Sequence, residues 1–457
     1  MMAASVGNSR RFAGSATMGL APSRLVETFL MFEFAAQLAL AFTSLGSARM
    51  LVRIGVFAAS LLLMLVLRPT RRVHPASSAA IWTITIVTLS MFHPTTNGWV
   101  GGAAQAALYV AIVAPLFWVP RLRVDIATIR RALLIVWIFQ TISAGAGIVQ
   151  FYFPGNLQPN LSAAVASVGD DYVKGLHLET PDGRWIIRPM GLSDVPGGAA
   201  TAGLYAALFA MGFFLVRPAF WIRMVCVASM SIGIVSILLS QVRSALVVLI
   251  VSVVGFAAVM IWRGENRQSV VFGALLAALL LSGIHFASAA GGLGVASRLT
   301  SFSEHPESVY LQERGRFLVE TVDEVPKYPL GAGLGRWGMI NHYFGDSSNS
   351  DDPPLWVEIQ WTGWLLDGGV PLVIAYVIAI AIAVRATLKI ALSRDRNMLW
   401  PWAAMLFGYD VGVIANTFAY PVFIGQSGLE FWLFNALLYA AATDTDARAF
   451  RNQRRGM

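Results

Sequence analysis

Twelve mostly apolar stretches divide this chain, and each is close to the roughly 20 residues that one α-helix needs to cross a bilayer. They lie near 25–45, 51–68, 77–93, 99–119, 131–152, 196–216, 218–239, 241–262, 268–288, 361–385, 399–418 and 426–443. The third is the weakest, because "MFHPTTNGW" breaks its end. The fold expected from this pattern is all-α: a polytopic integral membrane protein forming a single domain over 1–457. Composition agrees. Charged residues make up 13% of the chain, against about 25% in soluble domains, so little room is left for a soluble unit. The single cysteine, Cys226, sits inside an apolar run and excludes an intrachain disulfide or a cysteine metal site. A small, polar stretch follows Arg10 and Arg11, and no cleaved signal peptide is expected there.

Twelve spans place both termini on one side. Every connector on that side is basic, from Arg10 and Arg11 through Arg71, Arg123, Arg263 and Lys389 to Arg455. The positive-inside rule makes that side cytoplasmic. The same clustering explains the pI of about 9.9 without nucleic acid as a partner. Two long connectors fall on the opposite, external side: 153–195, and 289–360 between spans 9 and 10. A connector as long as the second is rarely idle.

The second loop contains "YPLGAGLGRW" at 328–337, which has the look of a phosphate-gripping loop. No strand precedes it and no Lys-Ser/Thr follows it, so the nucleotide motifs do not fit. Its glycines are expected to let the backbone turn tightly or approach another group. Upstream, 305–326 is patterned as an amphipathic helix, with Leu311, Leu318, Val322 and Val325 on one face. Such a helix suits a membrane surface. Trp356, Trp361 and Trp364 are expected to form an interfacial aromatic anchor where the chain returns to the bilayer.

External arginines run against the positive-inside rule and require a reason. They include Arg184 and Arg188 in the first loop, Arg298, Arg314, Arg316 and Arg336 in the second, and Arg243 at the mouth of the eighth span. One reason is a doubly charged anion, because guanidinium forks pair with phosphate oxygens through parallel hydrogen bonds. The alternative is pairing with Glu307, Glu313, Asp351 or lipid headgroups. Asp351-Asp352 and Asp170-Asp171 read more readily as turns than as a metal site. Asp410 lies within a span, where an ionisable group either serves function or ties helices together.

Four stretches carry a family resemblance: "RPMGLSDVPGGAA" (188–200), "SQVRSALVVLIV" (240–251), "ERGRFLVETVDEVPKYPLGAGLGRW" (313–337) and "EIQWTGWLLDGGVP" (358–371). In their order and placement they resemble the O-antigen ligase and O-antigen polymerase superfamily of bacterial envelope glycosyltransferases, over about 185–375. The resemblance implies a GT-C-like helical enzyme in the bacterial inner membrane. It implies a glycan donor on undecaprenyl diphosphate, transfer to a sugar hydroxyl at the periplasmic face, and no cofactor or metal. Membrane lipid and chain-length or export proteins are the implied partners. In ligases the last stretch begins with His-Asn, whereas Glu358-Ile359 stands there in this chain. That departure moves the reading from ligase toward polymerase.

The implied chemistry needs charge at the diphosphate leaving group and a base for the acceptor hydroxyl. Arg188, Arg243 and Arg314, with Arg316 and Arg336 beside them, are the candidates for the first task. Glu358 and then His342 are the candidates for the second. A lipid-linked oligosaccharide transporter is the rival from another class. Such proteins usually carry related halves and broken helices, and no repeat between halves is visible in the sequence.

Overall fold

The computed structural model describes residues 24–42, 48–70, 72–159, 161, 165, 170–180, 183–216, 219–304, 307, 310–346, 355–394 and 398–455. Helices dominate it: α1 (Leu25–Phe42), α2 (Ala48–Val66), α3 (Ser77–Ser90), α4 (Gly98–Val113), α5 (Pro115–Trp118), α6 (Ile126–Tyr152), α7 (Gly198–Val216), α8 (Phe220–Leu239), α9 (Arg243–Trp262), α10 (Asn266–Glu304), α11 (Arg316–Glu324), α12 (Gly338–Phe344), α13 (Gln360–Leu392), α14 (Trp400–Asn416) and α15 (Gln426–Arg455). Among the described residues, seven helices are long and apolar enough to cross a membrane: α2, α6, α7, α8, α9, the Asn266–Ala289 part of α10, and α13. An eighth is added if Gly98–Val113 and Pro115–Arg121, bent by 44°, act as one span.

The bundle is built around α7. Its apolar sequence is 78% buried inside the protein, whereas α2 is 11% buried, so α7 is central and α2 peripheral. α7 packs on α6, α8, α9 and α14. Small residues permit this: a Cβ on Gly203 would lie 2.4 Å from the Gly233 carbonyl of α8. Close backbone contact of this kind replaces the hydrophobic drive that lipid does not supply.

Three features depart from the sequence reading. The first long connector contains a two-stranded antiparallel hairpin, β1 (His177–Glu179) with β2 (Trp185–Ile187), in which Leu178 pairs with Ile186. Both of those side chains are buried. The all-α expectation missed it because three-residue strands leave almost no periodicity. Secondly, α10 runs on to Glu304, well past the apolar limit near 288. Loss of apolarity ends a span but does not end a helix. Thirdly, α13 is broken at Gly368 (φ −156°, ψ 17°) and Gly369 (φ 66°, ψ −164°), with Pro371 close behind.

The glycine-rich stretch serves that break. Ala332 N donates to Leu366 O at 2.6 Å, and Val370 N donates to Pro329 O at 3.0 Å. Backbone groups on either side of the broken turn thus find partners in the loop, as membrane depth demands. Close approach requires the glycines themselves. At Gly333 (φ +81°) a Cβ would sit 2.6 Å from Thr96 N, and at Gly335 (φ +75°) 2.8 Å from Gly101 C. The amides of Ala332 and Leu334 thus bond protein: Leu334 N also donates, to the Thr96 hydroxyl at 3.3 Å.

Asp367 completes the clamp. It is fully buried and accepts from Trp337 Nε1 (2.8 Å), Tyr109 Oη (2.6 Å) and Gln105 Nε2 (3.1 Å). One carboxylate thus joins the glycine-rich loop, α4 and α13.

Candidate functional site

The segment holding Arg188 is fixed by side chains of α6. Gln150 Oε1 accepts from the amides of Met190 (2.9 Å) and Gly191 (2.8 Å), while its Nε2 donates to Gly191 O at 2.8 Å. Gly191 has φ +66°, and a Cβ there would lie 2.7 Å from Ser143 O. The turn therefore needs this glycine. Beyond it, Ser193 and Asp194 lead into α7, both buried.

Arg314 reaches the same end of the bundle by another route. It lies on a widened π turn, Leu311–Gly315, immediately before α11. Its Nη1 donates to Glu358 Oε2 in an ion pair. Glu358 is held by the fastening of the chain around it: Gln360 N donates to Thr417 O at 3.0 Å, and Gln360 Oε1 accepts from Phe423 N at 2.6 Å. This brings Glu358 beside the 417–425 turn, which carries Tyr420.

Two phenols lie near these groups. Tyr172 is within electrostatic reach of both Arg314 and Arg188, and its ring meets Trp356 edge-on at 5.6 Å. Tyr420 is within electrostatic reach of Arg314 and Arg53. Arg53 in turn pairs with Asp194, to which Arg49 donates through Nε (3.2 Å) and Nη2 (2.8 Å). Burial acts to raise the Asp194 carboxyl, and the Arg53 and Arg49 guanidiniums outweigh it, leaving the group below the ordinary carboxylate range.

Two ion-paired groups result, Arg314 with Glu358 and Arg49 with Arg53 on Asp194, and Tyr172 and Tyr420 lie within electrostatic reach of their arginines. Of the residues expected from sequence, the structure pairs Arg314 with Glu358, while Arg188 is within electrostatic reach of Tyr172. Arg243 lies half-buried at the start of α9, directly after Val242, whose side chain sits against Gly197. Arg336 is 6% exposed and turned inward, donating to Ala332 O at 3.3 Å. It serves the glycine-rich clamp. Arg316 is exposed and lies over its neighbour Phe317 at 4.6 Å. His342 is exposed on α12 against Tyr343. Asp351 and Asp352 lie outside the described residues, as do the side chains of Asp170 and Asp171.

Arg49 and Arg53 were missed by the sequence reading. The signal was present: two arginines at i and i+4 share a helix face, and they stand where α2 begins, opposite the basic connectors. The expected aromatic anchor also divides. Trp356 is exposed, while Trp364 is buried and stacks on Tyr376 at 4.8 Å. On α11 the buried side chain is Thr321, bonded to the Thr362 hydroxyl at 2.6 Å, and Val319 and Val322 face outward.

Asp410 is buried and accepts from Asn435 Nδ2 at 2.8 Å, while Thr387 donates to Asn435 Oδ1 at 2.6 Å. This links α13, α14 and α15, so the Asp410 environment ties helices together. No protein-family model matches the chain, and no curated protein matches it.

Proposed function

We propose that the chain is a twelve-span glycosyltransferase of the bacterial inner membrane, with both termini cytoplasmic and the arginine cluster at the periplasmic face. In this reading it moves a glycan from undecaprenyl diphosphate to a sugar hydroxyl, as a repeat-unit polymerase of the O-antigen or exopolysaccharide type. Transfer to lipid A-core, as in a ligase, is the alternative acceptor. The observation that carries the reading is the Arg314–Glu358 ion pair, which joins a candidate diphosphate-binding cation to the candidate base.

In the proposed reaction the anomeric carbon of the donor leaves the diphosphate and bonds to the acceptor oxygen. Arg188, Arg314 and Arg53 would stabilise the charge that develops on the diphosphate as preorganised positive charge. Glu358 is the proposed base for the acceptor proton. Its ion pair with Arg314 gives the guanidinium a second task. When the diphosphate draws Arg314 away, Glu358 loses its strongest donor and is freed to accept a proton. Donor binding would thereby arm the base.

A transporter is the second reading, favoured by the break in α13, since such helices often form substrate sites. Here the break is closed by protein: loop backbone bonds on both sides of it, and Asp367 accepts three donors. The deciding experiment is incubation of the purified protein with a lipid-diphosphate-linked repeat unit. Chain growth is expected, and it should survive EDTA. Alanine at Arg314 should remove about 1.5–3 kcal/mol of charge-assisted bonding, slowing growth about 10- to 100-fold. Wild-type rates in both Arg188→Ala and Arg314→Ala variants would overturn the diphosphate site. Transbilayer movement of intact donor without chain growth would establish the transporter.

A further inference from the structure

Half-exposed aromatic rings stand beside the Arg314–Glu358 pair, and the transfer step gives them no task. Trp356 lies two residues before Glu358 and is 51% exposed. Its ring meets that of Tyr172, itself 39% exposed, at 5.6 Å and 80°. The segment leading from Trp356 into α13 alternates in direction. Val357 turns inward, its Cγ1 3.5 Å from the position that a Cβ on Gly363 would take. Ile359 is fully buried and has extended backbone (φ −125°, ψ 155°). Alternate side chains of an extended segment share a face, so Trp356 and Glu358 look outward together.

Each ring is held from behind. Leu355 N donates to Arg336 O at 2.8 Å, which fastens the Trp356 segment to the glycine-rich loop. Tyr172 belongs to the short helix Asp170–Gly175. Leu176 N closes the end of that helix on Val173 O at 3.1 Å, and Leu176 O accepts from Arg188 N at 2.9 Å. The two rings thus come from the two long connectors, and hydrogen-bonded backbone fixes both. Large aromatic surface left open beside a few charged groups is the usual make-up of a ligand site. A pyranose ring suits it. One face of such a sugar is lined by C–H bonds, which the negative face of an aromatic ring attracts, while its hydroxyl rim needs placed polar partners. Trp356 offers the first and Glu358, on the same side, the second.

We propose that Trp356, buttressed edge-on by Tyr172, is the platform on which a sugar ring of the acceptor stacks, so that its hydroxyl is presented to Glu358. Arg314, on the other side of the ion pair, is left to the donor diphosphate. The inference rests on the transfer reading for the task of Glu358, whereas the platform is tested by sugar binding without any transfer.

The test uses the full-length protein in lipid nanodiscs. The probe is the free repeat-unit oligosaccharide, released from its lipid diphosphate by mild acid, so that no phosphate contributes to binding. Titration followed by saturation-transfer NMR should show signals from sugar ring protons with wild type. Trp356→Ala should weaken binding about 10-fold, and Trp356→Phe, which keeps a ring, about 2-fold. Trp356→Leu keeps apolar surface without a π face. It should bind as poorly as Trp356→Ala, whereas a ring that only anchors lipid would let leucine substitute without loss. Trp221→Ala, at an exposed position where α8 begins, should bind like wild type. Wild-type affinity in Trp356→Ala or Trp356→Leu would overturn the platform, and so would the absence of ring-proton signals from wild type, whatever the transfer assay shows. Trp356-dependent sugar binding in a protein that extends no glycan would uphold the platform and remove the transfer reading.

Discussion

Asp367 and Glu33 are both carboxylates buried in apolar helices, yet their surroundings are opposite. Asp367 collects three donors from α4 and the glycine-rich loop. Glu33 has no hydrogen-bond donor at normal distance among the described residues. A buried charge that is fully bonded rigidifies its neighbourhood, and the Asp367 clamp is architecture in that sense. A buried acid without donors is a debt in the fold, and it persists only where something else settles it. The number of donors around an acid therefore separates groups that fasten the protein from groups that do not.

The sharpest way to break this comparison is Asp367→Ala. It strands three buried donors, each worth about 1–3 kcal/mol when left unsatisfied, and should give the largest loss in unfolding midpoint of any substitution named here. Protease cleavage after Lys327 should also increase, because the loop loses its anchor. Next in size is Gly333→Ala. The left-handed backbone costs about 1–2 kcal/mol for a residue with a Cβ, and the 2.6 Å approach to Thr96 N adds strain. Thermal unfolding measures it directly.

A smaller effect is expected at Asp194. Its carboxyl is held below its ordinary value of about 3.9, so its contribution is complete above that pH and is lost as pH falls through the lower, folded-state value. The wild type should lose about 1 kcal/mol relative to Asp194→Asn on acidification below about pH 4, read as a narrowing gap between their denaturation midpoints. Glu33→Gln comes last. It keeps the side chain's shape and removes no hydrogen bond of normal distance, and its midpoint should stay within about 1 kcal/mol of wild type. A loss as large as that of Asp367→Ala would erase the distinction between the two acids.

Helix positions were legible in sequence because apolar runs are local. The expected 218–239 and 241–262 became Phe220–Leu239 and Arg243–Trp262. Even the purpose of the glycines in 328–337 could be read as close approach. Their destination could not, since nothing local to Gly333 points to Thr96. The same distance hid the donors of Asp367 and the union of Arg53 with Asp194, 141 residues apart. The break in α13 was written as Gly368-Gly369, but a glycine pair in an apolar run marks a kink only when a partner arrives to bond the freed backbone.

The clamp around Asp367 also sets an order of events during synthesis. Thr95 bonds Ala332 across 237 residues, and Gln105 bonds Asp367 across 262. Closing loops of that span is slow because entropy is lost before any bond is gained. Until the ribosome has added Asp367, the side chains of Gln105, Tyr109 and Trp337 have no carboxylate to meet. A chain halted just short of that residue holds most of its helices and none of this seam, and quality-control proteases would find it open between α4 and the unfinished α13.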